Sequence, residues 1–263
     1  MGSFVVSGAA SGMGAATAAL LRSQGHQVIG VDLRDADVTA DLASVSGRLD
    51  TIQRVHDLVE DRLDGVALFA GVGGATGRPA ALLASLNYFG SVHLFIGLRQ
   101  LLAAAGESSA LAICSNSMTC QPGWSEDLVT SLLFGDEPHA REVADRGDSL
   151  MAYPATKTAL ARWVRRHAPR PDWAGAGIRL NAIAPGLVET PFVQETRADP
   201  VLGTMINEFP LPLGRGGSPE ELAELAAFML SDKARFFSGS IVLCDGGTEA
   251  LLRPESYPTP WDI

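Results

Sequence analysis

Tyr153 and Lys157 are the pair of residues in this chain with the clearest chemical potential. They stand four positions apart, a spacing that places both side chains on one face of a helix. Of the 20 basic residues in the sequence, only Lys157 and Lys233 are lysines. A compact ammonium beside a phenol favours the phenolate, so the pair predicts a tyrosine that exchanges protons near neutral pH. The spacing alone also fits a surface lysine beside a half-buried tyrosine.

The composition narrows the classes of protein that could carry such a site. A chain of 263 residues with 46% hydrophobic and 19% charged residues can bury the core of one α/β domain. The net charge of −10 disfavours binding to nucleic acid or to an anionic membrane surface. Three scattered cysteines are typical of reduced thiols in a cytoplasmic protein, and no metal-ligand spacing links them to the histidines. We expect no metal, no signal peptide and no apolar stretch of the roughly 18–20 residues that a membrane span requires.

The N-terminal segment has the pattern of a nucleotide-binding loop. A short apolar run at residues 3–7 leads into Gly8-Ala-Ala-Ser-Gly12-Met-Gly14, and an Ala- and Leu-rich stretch follows to about Ser23. This is the order strand, glycine loop and helix. In such an arrangement, backbone N–H groups and the N-terminus of the helix can hold a pyrophosphate. Glycine keeps side chains out of the way of the phosphates. A flexible Gly/Ala turn is the alternative interpretation.

The following segment indicates which dinucleotide is bound. A second strand, His26 to Val31, ends at Asp32. A carboxylate there accepts hydrogen bonds from an adenosine ribose and repels a 2′-phosphate, so Asp32 favours NAD over NADP. Arg34 is an opposing signal. Asp41 and Leu42 are well placed to lie beside the adenine ring.

Two helices and a strand are predicted between residues 47 and 105. The first helix, at 47–61, is amphipathic, and its apolar face comprises Leu49, Ile52, Val55 and Val59. A buried strand is expected at 66–70, followed by a glycine-rich loop at 71–77. The second helix, at 81–105, is largely apolar and contains Asn87. A mid-helix asparagine in apolar surroundings needs partners. It either bonds to a neighbouring backbone group or holds a water near the Tyr–Lys pair.

A serine-containing segment follows the next predicted strand. Ala110 to Cys114 reads as a strand, and Ser115 and Ser117 lie at its carboxyl end. Ligands of open α/β sheets collect at these strand ends, so a hydroxyl there could position a substrate oxygen. Ser115 is preferred because it directly follows the strand, and Ser117 is retained as the alternative.

Taken together, these motifs resemble those of the short-chain dehydrogenase/reductase family. The glycine motif is Gly8-x-x-x-Gly12-x-Gly14, the catalytic tetrad maps onto Asn87, Ser115, Tyr153 and Lys157, and later motifs appear as Asn181 to Pro191 and Asp245-Gly246-Gly247. They span nearly the whole chain in the family's order. One departure is Leu68-Phe-Ala-Gly71, where the family has Asn-Asn-Ala-Gly, so the stabilising role of those asparagines must be filled otherwise.

The resemblance implies a fold, a cofactor and an assembly. We expect a single Rossmann-type doubly wound α/β domain over residues 1–263, with a mostly parallel seven-stranded sheet flanked by helices. The cofactor is expected to be NAD. The predicted cofactor-binding residues are Gly8, Ser11, Gly12, Met13, Gly14, Asp32, Leu33, Asp41, Leu42, Ala70, Gly71, Tyr153, Lys157, Pro185, Gly186, Val188 and Thr190. Val188 backbone and Thr190 would contact the nicotinamide carboxamide. The family commonly forms dimers or tetramers through the helices after the fourth and fifth strands, so a homodimer or homotetramer is expected.

The chain is closer still to the 3α-hydroxysteroid dehydrogenase/carbonyl reductase branch of that family. The likeness lies in Gly25 to Asp37, Leu86 to Gly90, Arg179 to Gly186 and Glu189-Thr-Pro191, and in a long segment from Cys120 to Ser149. Residues 125–134 of that insertion could form one amphipathic helix, which either packs within the protein or against a subunit, or partly covers a bulky apolar substrate. Residues 190–214 are expected to be a mobile lid. Predicted substrate contacts are Ser117, Trp124, Leu187 and Phe192. The Pro-rich tail 253–263, with Trp261, either docks on a partner subunit or frays.

These features predict an NAD-dependent oxidoreductase that interconverts a secondary alcohol and a ketone on a bulky, apolar, hydroxysteroid-like small molecule. Tyr153 would exchange the hydroxyl proton, Lys157 would favour the phenolate, Ser115 would orient the substrate oxygen, and Asn87 would hold a water in a proton path. An aryl or cyclic-alcohol dehydrogenase is the alternative within the family. A noncatalytic nucleotide sensor is disfavoured, because a sensor would not need Tyr153 and Lys157 together.

Overall fold

Short apolar runs form the strands of one sheet. The computed structural model describes residues 1–121 and 123–256. Its strands are β1 (Ser3–Ser7), β2 (Gln27–Asp32), β3 (Val38–Thr39), β4 (Gly65–Leu68), β5 (Ser108–Ile113), β6 (Ile178–Pro185) and β7 (Ile241–Cys244). They lie in the order β3-β2-β1-β4-β5-β6-β7, and every neighbouring pair is parallel. The predicted doubly wound, seven-stranded sheet is therefore confirmed, with strand bounds that differ from the predicted ones by a few residues at most.

Helices connect the strands and cover both faces of the sheet. They are α1 (Gly12–Ser23), α2 (Val45–Leu58), α3 (Ala80–Leu83), α4 (Ser91–Ala104), α5 (Ser117–Cys120), α6 (Glu126–Phe134), α7 (Glu137–Ala144), α8 (Ser149–His167), α9 (Pro191–Ala198), α10 (Leu202–Asn207), α11 (Pro219–Leu230) and α12 (Thr248–Leu252). A π-helical turn, Ala84–Gly90, joins α3 to α4. Parallel strands need such crossovers, because the chain must return to the same edge of the sheet before each new strand.

The sheet separates two apolar cores. Phe4 and Val6 of β1 point into the core that contains residues of α1 and α11, whereas Val5 points into the larger core with α2, α4 and α8. This alternation follows from the two-residue period of a strand. All three side chains are buried, as expected for a parallel sheet covered on both faces.

The predicted amphipathic helix is present, but its buried face was partly misassigned. It spans Val45–Leu58, and Val55 is fully buried within it. Leu49, however, is 61% exposed, and Arg48 takes the inward position one residue earlier. Arg48 can lie inside because Glu137 of α7 pairs with its guanidinium at 2.5 Å. That long-range partner is invisible to a local hydropathy pattern.

The expectation that no apolar stretch reaches the length of a membrane span is wrong for one segment. The continuous helical run Ala80–Ala104 has 25 residues, and its most apolar 18-residue part has a mean hydropathy of 1.5. By length and composition alone, this run could cross a membrane. Of its most apolar part, 72% is buried inside the fold. Packing between the sheet and the neighbouring helices therefore accounts for its apolar character.

The insertion and the lid segment each contain two helices. The predicted helix at 125–134 is α6, capped by the Ser125 hydroxyl, and α7 is capped by the carboxylate of Asp136. In the lid segment, α9 packs against α10. The predicted tail begins at Arg253, directly after α12. Trp261 and residues 257–263 lie outside the described residues.

Candidate active site

The Tyr–Lys pair lies on α8, where that helix crosses the carboxyl end of β5. Asp148 caps the helix by accepting a hydrogen bond from Met151 N at 2.9 Å. The Lys157 ammonium donates to the carbonyl oxygen of Ile113 at 2.8 Å, and its Nζ lies 5.9 Å from the centre of the Tyr153 ring. Both side chains thus reach one place, as the four-residue spacing predicts.

Burial shifts the pKa of both groups. It lowers the pKa of Lys157 to about 8 and raises the pKa of Tyr153 to about 12. A hydrogen bond with the Ser115 side chain acts in the opposite direction on the phenol but is the smaller effect. Desolvation of the phenolate is therefore the largest effect on the pKa of Tyr153, which lies above its ordinary value and not closer to neutrality as the four-residue spacing predicts.

Of the two serines, Ser115 lines the cleft, and its catalytic role stays a prediction. Its side chain faces the cleft and interacts with the phenol of Tyr153. The backbone N–H of Ser117 donates to Ser115 Oγ at 3.1 Å, which leaves the Ser115 proton available for a substrate oxygen. Ser117 does not line the cleft, and its own Oγ is buried with no hydrogen-bond partner among the described residues.

Asn87 bonds to neighbouring backbone, as the first of the two interpretations states. Its Nδ2 donates to Val72 O and its Oδ1 accepts from Val72 N, both at 2.9 Å. The side chain is fully buried and does not line the cleft. It therefore fixes the loop after β4, and its role in holding a water stays a prediction.

The segment that lacks the family's two asparagines is held by other groups. Ser7, at the end of β1, accepts a hydrogen bond from Ala70 N at 3.1 Å through its hydroxyl. Its carbonyl accepts another from Phe69 N at 3.2 Å. The backbone of β4 thus continues to be tied to β1 beyond the last paired residue of the strand, without an asparagine side chain.

The carboxyl ends of the strands surround a cleft with an empty volume of about 1180 Å³. All the residues predicted to bind the cofactor line it, from the glycine loop to Thr190. Sequence reasoning did not include the lining residues Ala40, Phe69, Val72, Leu86, Ile113, Cys114, Pro191 and Val193. Most directly adjoin predicted residues, so extending each motif by one or two positions would have found them.

The start of α1 suits a bound pyrophosphate. Within the described part of the chain, Ser11 makes no side-chain cap, and the first turn holds no acidic residue. Its N–H groups and the positive end of the helix dipole are therefore available to an anion. A Cβ on Gly14 would lie 2.1 Å from Gly8 O, so only glycine permits this close passage of helix and loop.

The acid at the end of β2 is held in place by backbone groups. Asp32 accepts from Ala10 N at 3.0 Å and from Leu33 N at 2.7 Å, one bond to each carboxylate oxygen. The carboxylate lines the cleft between the glycine loop and Asp41. Arg34 is exposed and does not line it. These residues fit the adenosine end of a dinucleotide.

The predicted substrate contacts are only partly brought to the cleft. Phe192 lines it, with its ring centre 5.9 Å from that of Tyr153. Trp124 lies elsewhere, donating from its indole to Met118 O at 3.2 Å and packing beside Arg162. Leu187 is buried outside the lining, as is the Ser117 hydroxyl.

The lid segment is attached to the loop after β4. Asp199, between α9 and α10, accepts from Thr76 N at 2.6 Å and from Thr76 Oγ1 at 3.0 Å. Arg78 pairs with Glu195 of α9 at 2.5 Å. Phe192, which lies on the Tyr153 side of the cleft, belongs to this segment. The polar contacts with the loop after β4 therefore hold the helix that carries Phe192.

Comparisons with known proteins find relatives that match nearly the whole chain. A family profile described as "Enoyl-(Acyl carrier protein) reductase" matches residues 8–249. The 3-alpha-hydroxysteroid dehydrogenase/carbonyl reductase of Comamonas testosteroni is 36% identical over 260 residues, covering 98% of this chain and 100% of that protein. The cis-4-hydroxycyclohexanecarboxylate dehydrogenase of Sinomonas cyclohexanicum is 33% identical, covering 94% and 96%. The structure of the 3-alpha-hydroxysteroid dehydrogenase from Pseudomonas sp. B-0831 complexed with NADH is 41% identical with a TM-score of 0.93, covering 97% and 100%.

The parallel sheet, the glycine loop at its carboxyl edge and the Tyr–Lys pair opposite define a Rossmann-type oxidoreductase with a nicotinamide cofactor. The chain belongs to the short-chain dehydrogenase/reductase family. It acts on CH–OH groups, interconverting secondary alcohols and ketones.

Proposed function

We infer that this enzyme uses NAD and that its substrate is a bulky, apolar, hydroxysteroid-like alcohol or ketone. The observation that carries the cofactor assignment is Asp32, whose carboxylate lines the adenosine end of the cleft. The NADH in the related Pseudomonas structure supports the same assignment. The substrate class rests on the hydroxysteroid names of the relatives that match nearly the whole chain, together with Phe192 beside Tyr153.

A cyclic-alcohol dehydrogenase is the second candidate. It is favoured by the 33% identity to an enzyme named for a hydroxycyclohexane carboxylate. The two candidates share the cleft and the proton chemistry, and they differ in the size of the ring system that fits beside Phe192. A noncatalytic sensor has no use for the buried Lys157 and its contact with Ile113 O.

The proposed reaction is a proton exchange at Tyr153 coupled to hydride transfer. When bound, the nicotinamide ring accepts a hydride from the carbinol carbon or returns it to the carbonyl carbon. Tyr153 takes the hydroxyl proton in oxidation and gives it back in reduction. Its raised pKa keeps the phenol protonated at neutral pH, which prepares it as the acid for reduction.

The neighbours of Tyr153 orient the substrate and balance charge. Ser115 accepts from Ser117 N and donates its own proton to the substrate oxygen. Lys157, charged below about pH 8, favours the phenolate of Tyr153, which takes the proton in oxidation and is left after proton donation in reduction. Val188 and Thr190 are assigned to the carboxamide of the ring, and Asn87 to a water in the proton path.

The proposal also covers organisation and location. We assign residues 120–149 as a substrate-side insertion, 190–214 as a lid and the whole chain as one domain. We further propose a cytoplasmic homodimer or homotetramer.

Removing the charge of Asp32 should weaken discrimination between the two dinucleotides. The wild-type protein is expected to bind NADH more tightly than NADPH. Asp32→Asn should reduce the ratio of the NADPH to the NADH dissociation constant by about 10–100-fold. This is the change in affinity expected from the loss of one or two hydrogen bonds to a charged group. Fluorescence titration with both reduced dinucleotides measures this. Asp50→Asn, an exposed acid on α2, is the matched control. A wild-type preference for NADPH would contradict the assignment.

The two serines provide a matched pair of variants. Ser115→Ala should lower kcat by about 10²-fold or more, because it removes a donor to the reacting oxygen. Ser117→Ala should leave kcat nearly unchanged, since its hydroxyl lies outside the cleft and contributes to the site only through its backbone N–H. Steady-state kinetics decides between them. Loss of activity in Ser117→Ala alone would reverse the assignment.

A further inference from the structure

The helical run that carries Asn87 is irregular. Between α3 and α4, the turn Ala84–Gly90 is π-helical. Such turns are rare because the helix loses its regular i to i−4 bonding, and they persist where other contacts hold them. Two side-chain bonds to the start of this turn come from α7 of the insertion and from α2.

Helix α7 of the insertion bonds to α3 and to the start of the π-helical turn. Arg141 Nη1 donates to Ser85 Oγ at 2.6 Å. Asp145, which caps the end of α7, accepts from Ala81 N at 2.9 Å. Helix α7 therefore packs and bonds against α3 and the π-helical turn.

A third link between α7 and the π-helical turn runs through Arg48 of α2, which forms an ion pair with Glu137. Arg48 Nη1 donates to the carbonyl oxygen of Ser85 at 3.2 Å, inside the π-helical turn. The same guanidinium bonds to both carboxylate oxygens of Glu137, at 3.2 and 2.5 Å. Arg48 is fully buried, and a buried cation is stable only with a partner of opposite charge. Glu137 therefore holds Arg48 against Ser85.

The π-helical turn is connected to the wall of the cleft through Asn87. Asn87 bonds to both backbone groups of Val72, and a Cβ on Gly71 would lie 2.9 Å from Asn87 Oδ1 and 3.7 Å from Lys157 Nζ. Gly71 and Val72 both line the cleft beside Tyr153. A shift of the turn would move this wall relative to the Tyr–Lys pair.

We propose that Glu137 is a positioning residue: through Arg48 it braces the π-helical turn that orients Asn87 and the cleft wall at Gly71–Val72. The insertion then has a role besides covering the substrate. The effect on turnover rests on the proposed function, whereas the bracing itself does not.

Two variants separate positioning from stability. Glu137→Gln leaves Arg48 buried without a counter-charge, so the pair should separate. The double variant Arg48→Met/Glu137→Met removes both charges and fills the space, a change that commonly preserves stability. Glu126→Gln, which breaks the exposed pair of α6 with Arg162, is the matched control within the insertion. Arg141→Met, at an exposed position, is a milder variant that should fold in any case.

The measurements are Tm, kcat and KM, and hydrogen–deuterium exchange of peptides covering residues 84–91 and 70–74. Exchange in both peptides should rise in Glu137→Gln and Arg141→Met but not in Glu126→Gln. In the double variant, kcat should stay about tenfold or more below wild type even where Tm is restored. Recovery of kcat together with Tm would overturn the proposal, as would unchanged exchange in both peptides. If the wild-type enzyme turns over no alcohol, the proposed function fails. The exchange measurements still test whether Glu137 holds the π-helical turn in place.

Discussion

Tyr153→Phe is expected to abolish measurable oxidation and reduction while leaving NADH binding nearly unchanged. The phenyl ring keeps the packing against Phe192 and loses only the exchangeable proton. General acid–base catalysis of this kind contributes about 10²–10⁴-fold, so kcat should fall by at least that range. Stopped-flow or initial-rate absorbance of the reduced nicotinamide measures turnover, and fluorescence titration measures binding.

Tyr88→Phe is the control for the first variant. Tyr88 is buried on the same helical run as Asn87 but does not line the cleft. It should retain wild-type kcat. Turnover that survives in Tyr153→Phe would remove Tyr153 from its proposed role, and lost NADH binding would indicate that the substitution damaged the cleft rather than the chemistry.

Lys157→Met should lower activity and raise the stability of the cofactor-free protein at neutral pH. Activity should fall by about 10²–10⁴-fold, since the phenolate loses its neighbouring charge. The opposite effect on stability follows from burial. A pKa lowered from its ordinary value of 10.5 to about 8 corresponds to about 3 kcal/mol against the folded state. The lost bond from this charged donor to Ile113 O is worth about 1.5–3 kcal/mol, so the net gain in stability at pH 7 is at most about 1.5 kcal/mol.

The pH dependence of this second effect has a definite sign. Below about pH 8 the folded protein carries the full cost of a buried ammonium, whereas the unfolded chain keeps its proton up to about pH 10.5. The gain in Tm of Lys157→Met should therefore be largest at pH 7 and shrink as the pH rises from 8 toward 10.5. Thermal unfolding over pH 6.5–10 tests it, with the exposed Lys233→Met as the control. A variant less stable than wild type at pH 7 would contradict the account.

Local patterns sufficed for much of the site. The glycine loop, Asp32 and the Tyr–Lys spacing each combine a short motif with an adjacent strand or helix, and the parallel sheet brings the strand ends together. Residues in these motifs therefore line the cleft as predicted.

What could not be predicted depends on contacts between distant parts of the chain. Arg48 lies 89 positions from Glu137, so its inward orientation and the exposure of Leu49 follow from a partner that no local window includes. The π-helical turn around Asn87 is likewise fixed by α2 and α7. The rise in the pKa of Tyr153 reflects how deeply the finished fold desolvates the phenol, which a four-residue spacing does not encode.

Trp124 illustrates the limits of reasoning from side-chain type. A tryptophan in a substrate-side insertion suggests a ligand contact, but its indole N–H is used by Met118 O and its face by Arg162. The insertion packs against α8 at this point. The Trp124 ring therefore helps to hold the insertion against α8 and does not line the cleft.

Initial rates with NAD and NADP against a panel of hydroxysteroids, aryl alcohols and cyclic alcohols test the central claim most directly. The account predicts formation of reduced nicotinamide with a hydroxysteroid, at a higher kcat/KM with NAD than with NADP. NAD binding without turnover of any alcohol in the panel, or turnover that depends on NADP, would contradict it.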